Sequence, residues 1–130
     1  MRYLNLLDKI SKVKTRKCFI YNETLYFAVD KKLVSKAIGI AASNIKKIRE
    51  NIDKKVRIIS EPNGLEDAKK FIENVVYPIK PKNVEVVENQ IIVAAGNMQN
   101  KASLIGRNKK KFFELKKIVQ DFFSKDLRIV

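Results

Sequence analysis

Residues 37–48 read AIGIAASNIKKI, and residues 104–115 read LIGRNKKKFFEL. In both segments an apolar pair and a glycine lead into a short loop, and an amphipathic pattern with lysines, typical of a helix, follows. Gly106 comes 67 residues after Gly39, a spacing that matches the size of one small α/β module. Because self-similarity at a fixed period is the signature of repeated units, the sequence predicts two copies of one module.

The surroundings of each glycine repeat as well. Two strand-like runs joined by a short turn precede each glycine segment, a third run follows it, and an amphipathic helical pattern opens each copy. The strand-like runs cover residues 18–21, 24–29 and 55–59 in the first copy and residues 84–87, 90–94 and 126–130 in the second. Each copy is therefore predicted to run helix, strand, strand, short helix, loop, helix, strand. We expect an α+β protein with a first module at residues 1–61, including the N-terminal helix, and a second at residues 62–130.

The chain carries a large excess of positive charge. There are 28 Lys and Arg against 14 Asp and Glu, a net charge of +14 at pH 7 over 130 residues. Such an excess favours a polyanionic partner such as nucleic acid. Lysine-rich surfaces also arise from genome composition or from life at high temperature, and that interpretation remains open.

Residues that carry catalytic or metal chemistry are scarce. The chain has no histidine, its carboxylates are scattered, and no Gly-Lys-Ser/Thr phosphate loop occurs. Cys18 is the single cysteine and is expected to be a small core residue. We therefore expect no enzyme activity, no metal and no cofactor. Charge interrupts the N-terminal apolar residues and no apolar run reaches 18 residues, so we expect a cytoplasmic protein without a membrane partner.

A glycine between two short helices, with cations nearby, can serve a nucleic-acid partner. Without a side chain it lets a sugar-phosphate backbone approach, and the amides of the following helix point toward phosphates. The alternative is that Gly39 and Gly106 only close tight turns between packed helices. Two occurrences in matching contexts on a chain this basic favour the binding interpretation.

Four segments carry a resemblance to a known family. They are VSKAIG at residues 34–39, SNIKKI at residues 43–48, FIENVVYP at residues 71–78 and ASLIGRNK at residues 102–109. They resemble the KH family of RNA-binding modules, in which a Gly-x-x-Gly loop between helices holds about four nucleotides of single-stranded RNA. The predicted element order is similar to the type II arrangement, and the tandem is similar to archaeal NusA-like transcription factors. The resemblance spans most of residues 16–130.

This resemblance implies two tandem type II KH modules that bind single-stranded RNA. It also implies a role in transcription elongation or termination, with contacts to the nascent transcript near RNA polymerase. A second interpretation is an assembly or structural protein of a ribonucleoprotein such as the ribosome, whose basic surface meets folded RNA. Co-purification with polymerase or co-sedimentation with ribosomal subunits would separate the two.

The loops depart from the family pattern at their fourth positions, which are Ala42 and Lys109 instead of glycine. Alanine disfavours a positive φ, so we expect the first loop to hold its backbone slightly differently. The first loop is uncharged at its variable positions, whereas the second supplies two cations, and we therefore expect RNA contact to concentrate on the second module. The predicted RNA-binding residues are Gly39, Ile40, Ala41, Ala42, Lys46, Lys47, Gly106, Arg107, Asn108, Lys109, Lys110 and Lys111.

Two further expectations concern the helices behind these loops. Ser43 or Asn44 is predicted to cap the helix that follows the first loop. Lysines 109–111 could be an ordinary solvated helix start, but cations at a helix N-terminus oppose the macrodipole, which favours a functional role. Phe112, Phe113, Phe122 and Phe123 fall at helical spacing, so most of them are expected to be core residues and not base-stacking platforms, with Phe113 as the expected exception.

Overall fold

A computed structural model of the chain describes residues 2–15 and 17–130, with Arg2 described in its backbone alone. Met1 and Arg16, which the predicted first module includes, lie outside the described residues. The chain forms two compact units, Met1–Glu61 and Pro62–Val130. Each unit is described by itself below.

The described residues of the first unit form three α-helices and three strands. Its helices are α1 (Arg2–Ser11), α2 (Val34–Ile38) and α3 (Ser43–Ile52), and its strands are β1 (Lys17–Tyr21), β2 (Thr24–Val29) and β3 (Lys55–Ser60). The central strand β2 pairs antiparallel with β1 and parallel with β3. The parallel pairing follows from the crossover through α2 and α3, since two parallel neighbours cannot be joined by a tight turn.

The second unit repeats this arrangement. Its helices are α4 (Ala68–Val76), α5 (Met98–Ile105) and α6 (Lys110–Phe123), and its strands are β4 (Asn83–Val87), β5 (Gln90–Ala94) and β6 (Asp126–Ile129). Here β5 is central, antiparallel to β4 and parallel to β6. The described residues thus form six α-helices and two three-stranded sheets, which confirms the mixed α+β class predicted from the sequence.

Each unit buries its own apolar core between its helices and its sheet. In the first unit every residue of β2 is buried, and Phe27 and Leu25 are fully excluded from solvent. Residues from α1, α2, α3 and β3 join them in one cluster that includes Leu7, Ala37, Ile48, Val56 and Ile58. In the second unit the fully buried residues include Ile72, Val75, Ile91, Val93, Leu104, Leu115 and Val119.

The start of α4 differs from the sequence pattern. Helical spacing places Leu65 on the same buried stripe as Ala68, Ile72 and Val75, and those three are fully buried. Leu65 is instead 43% exposed, because residues 65–67 form a 3-10 turn whose geometry rotates Leu65 away from the stripe. None of the helices in the described ranges is long and apolar enough to cross a membrane.

Candidate nucleic-acid interface

Two loops occupy the same place in the two units. We call Gly39–Ala42 the first loop, between α2 and α3, and Gly106–Lys109 the second loop, between α5 and α6. The backbone angles (φ, ψ) are 81°, 168° at Gly39 and 77°, 174° at Gly106. Ala42 has 59°, 29° and its counterpart Lys109 has 60°, 22°. The two loops therefore share one backbone conformation although their sequences differ.

Both loop glycines are required by the backbone itself. A φ near 80° with a ψ near 170° belongs to a region that only glycine occupies readily. A Cβ on Gly39 would lie 2.7 Å from the Ser43 Oγ, and a Cβ on Gly106 would lie 2.9 Å from the Lys111 Cγ. The glycines also close turns, because the Ala42 N–H donates to the Gly39 carbonyl at 3.1 Å and Lys109 repeats this bond with Gly106 at 3.2 Å. Turn closure alone accounts for each glycine, with no ligand needed.

The fourth loop positions hold a left-handed conformation without glycine. Ala42 takes the positive φ that alanine disfavours, and its φ matches that of Lys109, which is also not glycine, to within one degree. The expectation that alanine holds the backbone differently from glycine stays a prediction. The residues before them are also left-handed, with φ 52° at Ala41 and 56° at Asn108. Each non-glycine residue in this region costs on the order of 1 kcal/mol or more. The surrounding fold therefore imposes the loop conformation against local preference.

Relieving this strain gives a first prediction. Ala42→Gly is expected to raise the free energy of unfolding by about 0.5–1 kcal/mol, because the relief of left-handed strain exceeds the added entropy of the unfolded chain. The matched control is Ala102→Gly on the exposed face of α5, which should lower stability by about 1 kcal/mol. Urea denaturation measures both. Equal destabilisation by the two changes would contradict the left-handed conformation of Ala42.

The helices that follow the loops begin without side-chain caps. The predicted caps are wrong: the N-cap of α3 is Ala42, and Ser43 is the first residue inside the helix. Asn44 is occupied elsewhere, its Nδ2 donating to the Lys36 carbonyl at 3.1 Å. The N-cap of α6, Lys109, also makes no side-chain cap, and neither helix has an acidic residue in its first turn. The first-turn amides and the positive end of the helix dipole therefore have no anionic side chain beside them in α3 or α6. Such a helix N-terminus favours binding of an anion from outside the protein, such as a phosphate.

The predicted site residues are mostly on the surface. In the second unit Arg107, Asn108, Lys109 and Lys110 are exposed, whereas Lys111 is partly buried with its aliphatic stem against Gly106. The structure brings these residues together at one end of α6. Lys111 therefore contributes packing as well as charge, because its aliphatic stem lies next to Gly106.

In the first unit the corresponding residues make a different surface. Ile40 is 91% exposed at the tip of the first loop, beside the exposed Ala41. Ala42 is half-buried, and Lys46 and Lys47 are exposed on α3. The first loop thus presents an apolar tip with cations behind it, whereas the second presents cations at its tip.

The excess charge is not concentrated on the second unit. Residues 1–61 contain 15 Lys and Arg against 6 Asp and Glu, a net +9, and residues 62–130 contain 13 against 8, a net +5. The expectation that RNA contact concentrates on the second module stays a prediction. It rests on the cationic side chains of the second loop, because the net positive charge is larger in the first unit.

One groove was missed by the sequence analysis. A cavity of about 400 Å³ in the first unit is lined by Lys46, Arg49, Glu50, Asp53, Lys54 and Lys55. The signal for it is the spacing of residues 46, 49 and 50, which places them along one face of α3, with Asp53 at the C-cap of that helix. The groove has four cations against two carboxylates, so it extends the basic surface behind the first loop along the helix.

Among the described aromatic residues Tyr21, Tyr26, Phe27 and Phe71 are buried, whereas Tyr77 and Phe113 are exposed. Tyr26 is buried, stacks on Phe19 at 5.0 Å between ring centroids, and accepts a hydrogen bond from the Arg57 Nη1 at 3.0 Å. Burial raises the pKa of Tyr26, and the neighbouring Arg57 partly offsets that rise. Phe113, the expected exception, is 57% exposed, and its role as a base-stacking platform stays a prediction.

Cys18 is half-buried at the border of the first core, and this burial raises the pKa of its thiol. Within residues 2–15 and 17–130, no group of three or more His, Cys, Asp or Glu side chains is placed to hold a metal ion.

Comparison with known proteins gives distant similarities. No family model matches the chain. The probable transcription termination protein NusA of Halococcus morrhuae is 24% identical to it over 94 residues, which cover 72% of this chain and 66% of that protein. The match thus spans just under two thirds of the length of that relative. The crystal structure of a protein named APE1850 superimposes with a TM-score of 0.67 at 22% identity, covering 99% of this chain and 96% of the other. The chain therefore shares the fold of APE1850 and is distantly similar to a NusA protein.

Proposed function

We propose that this protein binds single-stranded RNA through the two loops and the starts of α3 and α6, as two tandem type II KH-like modules. The main support for this proposal is that one strained loop conformation occurs twice, each time before a helix without a side-chain cap. The chain that carries these loops has a net charge of +14. The element order, helix, strand, strand, helix, helix, strand in both units, supports the KH-like assignment.

The loop geometry suits the backbone of a nucleic acid. Gly39 and Gly106 have no side chain, and they lie beside the first turns of α3 and α6. Phosphates could therefore approach the backbone amides of those turns. Arg107 and Lys109 stand exposed at that point in the second loop. A flexible, extended single strand can follow such a surface, whereas side chains cannot read the deep major groove of duplex RNA.

The distant NusA similarity supports a role in transcription. The relative is named as a probable transcription termination protein, and we propose that this chain likewise acts on nascent RNA during elongation or termination, in the cytoplasm and near RNA polymerase. We further propose that it acts by binding and not as an enzyme. Recovery of RNA polymerase with the purified protein would support this assignment, and recovery of ribosomal subunits alone would favour the ribonucleoprotein assembly role instead.

Salt dependence tests the RNA-binding proposal. For a single strand the logarithm of affinity falls with the logarithm of salt concentration at a slope of about −0.7 per neutralised phosphate. Changing Arg107 and Lys109 together to alanine should weaken binding and flatten the slope by roughly 1 to 1.5 units if both cations contact phosphates. The first loop shows that this backbone accepts alanine, because Ala42 is the counterpart of Lys109.

The control removes equal charge elsewhere in the second unit. Lys69 and Lys70 are exposed on α4, so changing both to alanine should leave the slope close to that of the unaltered protein. Fluorescence anisotropy with a labelled oligonucleotide at several salt concentrations gives the slopes. Equal slopes for the two double variants would remove the second loop from the binding surface, and equal affinity for duplex DNA and single-stranded RNA would contradict the KH-like mode.

A further inference from the structure

An aromatic ring lies exposed just behind the second loop. Phe113 is the fourth residue of α6, and 57% of its surface is accessible to solvent. The ring of Phe112 supports it from one side, with centroids 5.4 Å apart and an edge-to-face angle of 65°. One neighbouring ring limits its freedom while leaving much of the side chain open to a partner.

Lysines surround this ring along the helix. Lys110 comes three residues before Phe113, and Lys116 and Lys117 come three and four residues after it, so all three share its helix face. Lys110 and Lys117 are exposed, and Lys116 pairs with Asp126 at 3.6 Å. A cationic surface with an accessible aromatic ring is the combination that single-strand binding proteins use, because cations attract the phosphates while the ring stacks on a base.

The first unit shows that the helix does not need an aromatic residue here. Phe113 is the seventh residue after Gly106, and the seventh residue after Gly39 is Lys46, which is exposed on α3. Both helices follow the same loop conformation, so the two positions are equivalent. The fold accepts a lysine at this position, as Lys46 shows. Packing of the helix onto its sheet therefore does not explain the exposed ring of Phe113.

We propose that Phe113 is a stacking platform for an unpaired nucleobase of the strand whose phosphates contact the second loop. This inference rests on the proposed RNA-binding function and adds a base contact to it. The charges flanking the ring fit the phosphates on either side of a stacked base. The ring would tolerate different bases, since every base has a π-face.

The experiment uses the fact that the chain contains no tryptophan. Phe113→Trp in the full chain introduces a single indole at the proposed platform. Its fluorescence should be quenched when a uridine oligonucleotide binds, and should change much less with an abasic ribose-phosphate oligonucleotide of equal length. Base stacking on the indole requires the base, whereas the phosphates of both oligonucleotides are the same.

Affinity measurements give a second readout. Phe113→Ala should weaken binding of the base-bearing oligonucleotide by about 5- to 100-fold and leave the salt slope unchanged, because one base contact but no charge is lost. Phe113→Leu should lose most of the same affinity, since it keeps apolar bulk without a π-face. Met98→Ala removes another exposed apolar side chain, at the far end of α5, and should have no effect.

The outcomes distinguish failure of base stacking on Phe113 from failure of the proposed RNA-binding function. If Phe113→Ala binds as tightly as the unaltered protein while the Arg107 and Lys109 double variant binds weakly, stacking is wrong and RNA binding stands. Equal quenching of the Phe113→Trp indole by the base-bearing and abasic strands also overturns stacking. If the unaltered protein binds neither oligonucleotide, the proposed function fails and stacking fails with it.

Discussion

Replacing Phe27 by alanine is expected to lower the free energy of unfolding of the first unit by about 3–5 kcal/mol. Phe27 lies in the central strand β2, opposite Cys18 on β1 and Ile58 on β3, and none of its surface is accessible. The substitution removes the largest fully buried side chain of this core and leaves a cavity that the closed packing of a small unit cannot fill. Such a loss is a large share of the stability of a domain of this size.

The same substitution at Phe113 serves as the control. Phe113 is more than half exposed on α6, so Phe113→Ala should change stability by well under half of the Phe27→Ala loss. Thermal and urea denaturation followed by circular dichroism measure both variants. A loss below about 1 kcal/mol for Phe27→Ala would mean that β2 is not the centre of the first core.

The fold could be predicted where apolar residues repeat with a clear period. The alternating and continuous apolar runs identified the strands, and the repeated glycine segments gave the order of elements in both units. Helix ends were predicted less well. Leu65 fits the helical period of α4 but lies in a 3-10 turn, and Ser43 has the chemistry of a cap but lies inside α3. Both errors arise because period and residue type do not determine where the first hydrogen-bonded turn begins.

The location of the loops could be predicted, but their conformation could not. Glycine next to an apolar pair marks the turn, and the structure accounts for it by backbone angles that favour glycine. Ala41, Ala42 and Lys109 take left-handed angles that their residue types disfavour, so propensity indicated the wrong geometry. The packing of two helices against a sheet overrides those local costs. The basic groove on α3 required the helix register, which becomes clear only when the ends of the helix are known.

Replacing Gly106 by alanine is expected to lower the free energy of unfolding by about 2–4 kcal/mol, and Gly39→Ala by less. The backbone penalty is the same at both positions, because the angles of the two glycines match. The neighbours differ. At Gly106 the added Cβ meets the Lys111 Cγ and Cβ and, at 3.2 Å, the Lys111 backbone nitrogen, whereas at Gly39 it meets the ends of the Ser43 and Asn44 side chains. Side-chain ends can rotate away and a helix backbone cannot, so overpacking is costlier in the second loop.

Gly64→Ala is the matched control for both changes. Its φ of 179° is extended backbone open to any residue, and the three atoms nearest to the added Cβ belong to the carboxylate at the far end of the Glu66 side chain. Stability should change by less than about 0.5 kcal/mol. Urea denaturation of the three variants measures the order Gly106, Gly39, Gly64 from largest loss to smallest. If Gly39→Ala and Gly106→Ala lowered the free energy of unfolding equally, the backbone at the start of α6 would move as easily as the side chains of Ser43 and Asn44 do. Replacing either loop glycine by aspartate would add the same Cβ and lower stability as well as change the charge. RNA binding by the second loop is therefore better tested by substituting Arg107 and Lys109, because their side chains are exposed and their replacement keeps both glycines.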